Sequence, residues 1–279
     1  MKYALNTWMC GGEPLQKTLA RLQRLGYDGV ELSVMEPNKI DPHQIKRLVS
    51  DYGLVVSSLE PDWSWVEKRE LCNKDRKVRQ EAILYLKRCL ELGKELGAIS
   101  IQMVPSAVGK PWPLASPEDE WKWAIEAVAE GAEYAEQLGI LIALEVVNRY
   151  EVYMVNTVDD AIRFIGDVGS ASVRVHLDCF HLNIEEPDLP LAFLKAGNLL
   201  INTHIADSNR QAVGKGHVDF KSVVRVLKEI DYPYYLTVEL LSKGADPTNL
   251  SQGFTPDEDL LDVDAKTCIT LLKLYETVA

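Results

Sequence analysis

Eight short runs rich in β-branched and aliphatic residues recur along the 279-residue chain, each separated from the next by a longer stretch with helical spacing. The runs are YALNTWM (3–9), GVELSV (29–34), VVSSLEP (55–61), SIQMVP (100–105), ILIALEVV (140–147), VRVHLDCF (173–180), LLINTHIAD (199–207) and YYLTVELL (234–241). Such runs suit strands buried on both faces. Between them lie amphipathic patterns such as PLQKTLARLQRLG, in which Leu15, Leu19 and Leu22 share a face and Gly26 is a stop signal. The longest helical patterns span 76–97 and 116–139, both ending in Leu-Gly, and the last runs over 257–278. Eight strands alternating with eight helices predict an α/β fold, a (β/α)8 TIM barrel, as a single domain over 1–279. A doubly wound open sheet is the structural rival, but no GxGxxG follows the first strand. No Gly-, Ser- or Pro-rich linker divides the chain. The long loops at 62–75, 105–116 and 242–256 follow strand ends, where a barrel builds its active site.

Composition narrows the function classes. At 47% hydrophobic and 26% charged residues, the chain can bury a core without disulfides or a structural metal. Cys10, Cys72, Cys89, Cys179 and Cys268 form no CxxC pair and are odd in number, which suits a reduced, intracellular protein. A net charge of -12 without a basic stretch argues against nucleic acid as a partner. The N-terminal MKYALNTWMC has no long apolar segment of a signal peptide, and no apolar run approaches the roughly 20 residues of a membrane span. A cytoplasmic location is expected, with no membrane partner.

Polar residues near the ends of the later strands locate the chemistry. Alternation places Glu145 inside the barrel between Leu144 and Val146, and His176 and Asp178 inside on the sixth strand. Asn202 and His204 share the inner face of the seventh, and Glu239 lies inward between Val238 and Leu240. One inward glutamate is ordinarily a salt-bridged core residue, and a single histidine such as His176 or His43 is ordinarily structural. Glu145, Asp178, His204 and Glu239, converging from four consecutive strands, repel one another unless a cation sits between them. Three carboxylates and an imidazole suit a hard or borderline divalent ion such as Mn²⁺, Mg²⁺ or Co²⁺. Structural zinc would favour cysteine, and alternation turns Cys179 away. His181, three residues after Asp178, Glu151, six after Glu145, and Arg210, six after His204, lie at the mouth, where they could hold sugar hydroxyls.

The segments ALEVVNRYE (143–151), HLDCFHLNIEE (176–186), HIADSNR (204–210) and GKGHVDF (214–220) resemble the ketose 3-epimerase family, typified by D-tagatose 3-epimerase and D-psicose 3-epimerase, within the xylose isomerase-like barrel superfamily. The resemblance extends to strand order over nearly the whole chain. It implies metal ligands at Glu145, Asp178, His204 and Glu239, and substrate contacts at Glu151, His181 and Arg210. Trp112, in KPWP after the fourth strand, is a further candidate for packing on the sugar. Ala206-Asp207 stands where the family often has Gly-Glu, VELL replaces Glu-Pro-Phe, and His176 stands where a glutamine occurs. TWMCGGEP and PDWSW (61–65) show no clear correspondence.

The resemblance implies a carbohydrate isomerase with one divalent metal ion per chain, Mn²⁺ first, that inverts carbon 3 of a free ketose of the D-tagatose, D-psicose or L-ribulose type. The metal stabilises a cis-enediolate, and Glu145 and Glu239 act as acid and base on opposite faces. A homodimer or homotetramer is the expected assembly. Other readings share the barrel: an aldose–ketose isomerase, an inosose isomerase or dehydratase, and an epimerase of a keto-sugar acid. An apurinic-site endonuclease needs a zinc cluster, for which five histidines and the charge of -12 are poorly suited. From a different class, a non-catalytic sugar-binding protein would not need two carboxylates on opposite sides of a metal.

Overall fold

In a computed structural model, which describes residues 1–64 and 69–278, eight parallel strands close into a barrel in sequence order. They are β1 (Lys2–Asn6), β2 (Gly29–Val34), β3 (Val55–Pro61), β4 (Ser100–Met103), β5 (Leu141–Val146), β6 (Val173–Asp178), β7 (Leu200–Ile205) and β8 (Tyr235–Val238). The ring of helices comprises α1 (Leu15–Leu25), α2 (Pro42–Asp51), α3 (Arg76–Leu96), α4 (Pro117–Leu138), α5 (Val158–Val168), α6 (Cys179–Glu185), α7 (Leu189–Ala196), α8 (Phe220–Glu229), α9 (Pro247–Ser251) and α10 (Glu258–Val278). Trp65 of PDWSW lies outside the described residues, as do the rest of 65–68 and residue 279. No helix among the described residues is long and apolar enough to cross a membrane.

Local signals set the helix limits. Side chains of Asp41, Asp75, Ser116, Thr157 and Asp219 accept hydrogen bonds from first-turn amides of α2, α3, α4, α5 and α8. Gly97 and Gly139 close α3 and α4 with φ of 83° and 66°, a conformation that costs a residue with a Cβ. The apolar core fills the space between barrel and helices, with Leu5, Val30, Leu59, Ile101, Leu144 and Val175 fully buried.

The structure departs from the sequence expectation in several places, among them the eighth run, which stops at Val238 and leaves Glu239 just past β8. The first run does not stay extended to residue 9: the Asn6 side chain accepts from Trp8 N at 2.8 Å and turns Thr7–Cys10 into a 3₁₀ turn. The sixth run stops at Asp178, whose carboxylate caps α6 through Phe180 N at 2.7 Å. Two helices, α6 and α7, therefore follow β6. A short helix, α9, also forms within the 242–256 loop, so the ring exceeds eight helices.

Register brings the inward polar residues to one level. Glu145 pairs with His176, Asp178 with His204, and His204 with Thr237. The β2–β3 and β6–β7 ladders shift register at Val30/Glu31 and Val175/His176, passing over Ser57 and Ile201. The five cysteines are all buried and unpaired.

Candidate active site

The upper interior of the barrel is polar. Asn6, Glu31, Ser58, Gln102, Glu145, His176, Asp178, Asn202, His204 and Glu239 are all buried there. His204 stands at the centre. Its Nδ1 lies 3.3 Å from Glu239, 3.5 Å from Glu145 and 3.9 Å from Asp178. On the other side of the ring, Nε2 is 2.5 Å from Glu31 Oε1. Glu31 is a buried acceptor already fixed by Asn6 Nδ2 at 2.9 Å, Asn202 Nδ2 at 2.8 Å and the Ser58 hydroxyl. With the Nε2 proton donated to Glu31, the Nδ1 lone pair points at the three carboxylates.

Among the described residues, five buried side-chain atoms of this cluster have no hydrogen-bond partner: His204 Nδ1 and Asp178 Oδ2, which face each other at 3.9 Å, and, away from them, Gln102 Oε1 and both ring nitrogens of His176. Orphaned polar atoms of this kind are costly and call for a missing partner. A divalent cation satisfies the facing pair, His204 Nδ1 and Asp178 Oδ2, so the residues present fit a metal. Electrostatics agree. Burial pushes the Asp178 carboxyl up to about 7, with Glu239 and Glu145 adding repulsion, although Arg210 and His204 oppose it. Burial acts the same way on Glu145, but His176 and His204 outweigh it and hold its carboxyl down to about 2.

Each carboxylate is aimed by a neighbour. Gln102 Nε2 donates to Glu145 Oε2. Glu239 accepts from Asn6 Nδ2 at 3.1 Å and from Arg210 Nη2 at 2.5 Å. Asp178 is held through Phe180 N, which leaves Oδ2 facing inward.

Glu151, His181 and Arg210 meet just above. Asn148 Nδ2 donates to Glu151 Oε1 at 2.9 Å and contacts His181 Nδ1 at 2.6 Å. Arg210 Nη1 is 3.2 Å from His181 Nε2. Burial, followed by the Arg210 charge, holds His181 down to about 3, so it is a neutral imidazole. Arg210 packs between the Trp8 and Phe180 rings, 5.4 Å and 4.8 Å from their centroids. Its φ of 56° is uncommon for a residue with a side chain and marks a backbone held by its surroundings. Asp207 supplies that hold: its carboxylate accepts from the amides of Ser208, Gly214 and Val218. A Cβ at Gly216 would lie 2.3 Å from Asp207 Oδ1, which accounts for the glycine in GKGH.

These groups open onto a cleft of about 1320 Å³. Glu145, Glu151, His181, Arg210 and Glu239 line it; Trp112 does not, and stands 55% exposed on the loop after β4. His176 sits behind the site, its ring edge-on to His204 at 4.2 Å. Sequence reasoning passed over Glu31, Asn6, Gln102 and Glu60, although Val30-Glu31-Leu32 and Ile101-Gln102-Met103 carry the same alternation that located Glu145.

A family model described as xylose isomerase-like TIM barrel matches residues 19–259. The chain belongs to this family. Within it, the chain groups with the ketose 3-epimerases. It is 32% identical to an L-ribulose 3-epimerase of Mesorhizobium japonicum over 242 residues, 85% of this chain and 79% of that protein. It is 27% identical to a D-psicose 3-epimerase of Enterocloster bolteae, over 90% of this chain and 87% of that one. The D-allulose 3-epimerase of Methylomonas sp., solved in complex with D-allulose, superposes with a TM-score of 0.87 at 29% identity, covering 99% of this chain and 97% of that one.

Proposed function

We propose that this protein inverts carbon 3 of a free ketose, using one divalent ion held by Glu145, Asp178, His204 and Glu239, with Mn²⁺ preferred and Co²⁺ or Mg²⁺ as substitutes. The observation that carries the reading is the facing pair of atoms left without a partner among the described residues, His204 Nδ1 and Asp178 Oδ2, with Glu145 of β5 and Glu239 just past β8 approaching His204 from either side. A divalent ion bound there supplies the positive charge that polarises a carbonyl and stabilises the negative charge left by proton removal.

The protein's own groups handle the proton. Glu145 and Glu239 are 3.5 Å and 3.3 Å from the same nitrogen, each with one oxygen tied to a donor behind it, Gln102 or Asn6. One carboxylate takes the C3 proton on its face of the sugar and the other delivers a proton to the opposite face, with roles exchanged in the reverse direction. His181 and Arg210 hold the oxygens at C1 and C2. Among the described residues, the Arg210 Nε–H has no partner and is left for a substrate oxygen. Glu151, tied to His181 through Asn148, orients the adjoining hydroxyl.

Charge favours a neutral sugar. Among the described residues lining the cleft, Arg210 is the one lysine or arginine, against five acids, Glu13, Asp62, Glu145, Glu151 and Glu239, besides Glu60, whose carboxyl burial pushes toward the neutral form. A keto-sugar acid would meet repulsion over most of this surface. The test is to incubate Mn²⁺-loaded protein in deuterated water with a panel of ketoses and keto-sugar acids, and to follow the C3 proton by NMR. Deuterium at C3 together with the inverted epimer is expected for a neutral ketose. Exchange at another carbon, or none with any ketose, overturns the assignment.

A further inference from the structure

The four proposed metal ligands come from β5, β6 and β7 and the residue after β8, and Glu151, His181 and Arg210 lie beyond β5, β6 and β7. The opposite wall of the cleft is built from β1–β3 and the turns above them. A ketose placed with C2 and C3 between Glu145 and Glu239, and its C1 end at His181 and Arg210, directs its remaining carbons toward that wall. The wall carries one carboxyl wired to the reacting side, that of Glu60, near the end of β3.

The wiring runs through Asn6. Its Nδ2 lies 2.9 Å from Glu60 Oε2, 2.9 Å from Glu31 Oε1 and 3.1 Å from Glu239 Oε1. The Glu60 and Glu239 oxygens are therefore within about 6 Å of each other. An amide nitrogen has two hydrogens, so three carboxyl oxygens around it are not all satisfied as anions. Glu31 and Glu239 have cationic or imidazole partners in His204 and Arg210. Glu60 has neither. Burial, reinforced by the Glu239 and Glu31 charges and only partly offset by His204, pushes its carboxyl well above the usual range. A neutral carboxyl both donates and accepts, as a sugar hydroxyl does. Among the described residues, Glu60 Oε1 receives no hydrogen bond, and Glu60 lines the cleft.

We propose that Glu60 is a specificity-determining residue that reads the configuration of the substrate hydroxyl at carbon 4, the first carbon beyond the reacting centre, with Asn6 fixing its distance from Glu239. This rests on the C3-epimerase reading above. Carbon 4 is singled out because the group acting at C3 and the Glu60 oxygen are separated by a span that one carbon and its hydroxyl fill. The inferred ligand is a polyhydroxylated neutral ketose; an amino sugar would require an anionic carboxyl at Glu60.

The experiment compares wild type, Glu60→Leu and Glu60→Gln as Mn²⁺-loaded proteins, on D-fructose and D-tagatose, which differ only at carbon 4, and on a 4-deoxy ketose. Wild type is expected to prefer one C4 epimer and to lose about 10-fold or more in kcat/KM on the 4-deoxy compound, because a site built around a hydroxyl rejects its absence. Glu60→Leu should collapse the fructose-to-tagatose ratio by about the same factor and lose much less on the 4-deoxy ketose. Glu60→Gln, which keeps a donor and an acceptor, should retain most of the ratio. Mn²⁺ affinity by calorimetry should be unchanged in both variants. An unchanged ratio in Glu60→Leu, an equal loss on all three sugars, or a loss of Mn²⁺ overturns the inference. If Glu60→Leu does not fold, wild type decides: a 4-deoxy loss of less than about threefold overturns it. Wild type that epimerises no ketose defeats the C3-epimerase reading and this inference with it. Active wild type with an unaltered variant ratio defeats this inference alone.

Discussion

Replacing Lys110 with methionine tests how the loops that surround the cleft are anchored. Lys110 is fully buried, and its Nζ bonds Glu70 and, at 2.5 Å, Glu120, both also buried. The three come from the loop after β3, the loop after β4 and the first turn of α4, and the Tyr153 hydroxyl from the loop after β5 donates to Glu120. Removing one partner of a buried ion pair costs about 3–5 kcal/mol, because the other is left as an uncompensated charge. Here the loss falls unevenly. Glu120 keeps the Leu114 and Ala115 amides at 2.5 Å and 2.7 Å besides Tyr153, whereas Glu70 keeps Asn73 Nδ2 at 2.6 Å. Most of the cost should therefore trace to Glu70. At roughly 2–4 °C per kcal/mol for a domain near this size, Lys110→Met should lower Tm by roughly 6–20 °C in calorimetry. Adding Glu70→Gln should return at least half of that, since it removes the unpaired charge. A single variant within about 2 °C of wild type would refute the reasoning, and so would a double variant less stable than the single one.

Chelation with EDTA should abolish epimerisation and lower Tm, because the ion stabilises only the folded state; full activity in metal-free protein refutes the site. Glu145→Gln and Glu239→Gln, with Mn²⁺ occupancy checked, should each lose epimerisation yet retain one-sided C3 exchange with opposite epimer preferences; wild-type interconversion by both ends the two-base assignment. Arg210→Ala and His181→Ala should lower kcat/KM by ~10² or more while metal analysis stays near one ion per chain; metal loss in either moves that residue into the ligand set. Gly11→Ala should cost about 1–3 kcal/mol and raise KM, since Gly11 has φ +56° and a Cβ there would sit 1.8 Å from Phe254 O at the cleft rim; unchanged Tm and KM contradict this.

The barrel was legible because strands buried on both faces leave an unmistakable apolar rhythm, and polar letters interrupt it only where something holds them. Glu145, Asp178, His204 and Glu239 stand out against such strands, and the structure brings them together. Glu31 and Glu60 interrupt the rhythm in the same way, but their partners, His204 and Asn6, are 173 and 54 residues distant in the chain. No local pattern joins them. Asn6 itself reads as an ordinary strand residue: its role depends on three carboxylates from other strands reaching one nitrogen. Trp112 shows the converse limit. An aromatic residue in a loop after a strand can face the cleft or the outside, and spacing does not distinguish them.

The register shifts opposite Glu31 and His176 act as expansion joints in the barrel wall. On β7 the extra residue, Ile201, lies below Asn202 and His204, so the lower segment meets β6 through Leu200 and the upper one through Asn202. Deleting Ile201 would leave a plain ladder with His204 still facing inward. Deleting Thr203, two residues along and equally unremarkable in type, would turn His204 toward the helices. Insertions and deletions in the lower half can thus accumulate over descent without disturbing the reacting end. Gaps between this chain and its relatives should gather at Ser57 and Ile201, and should be scarce from there to the ends of those strands.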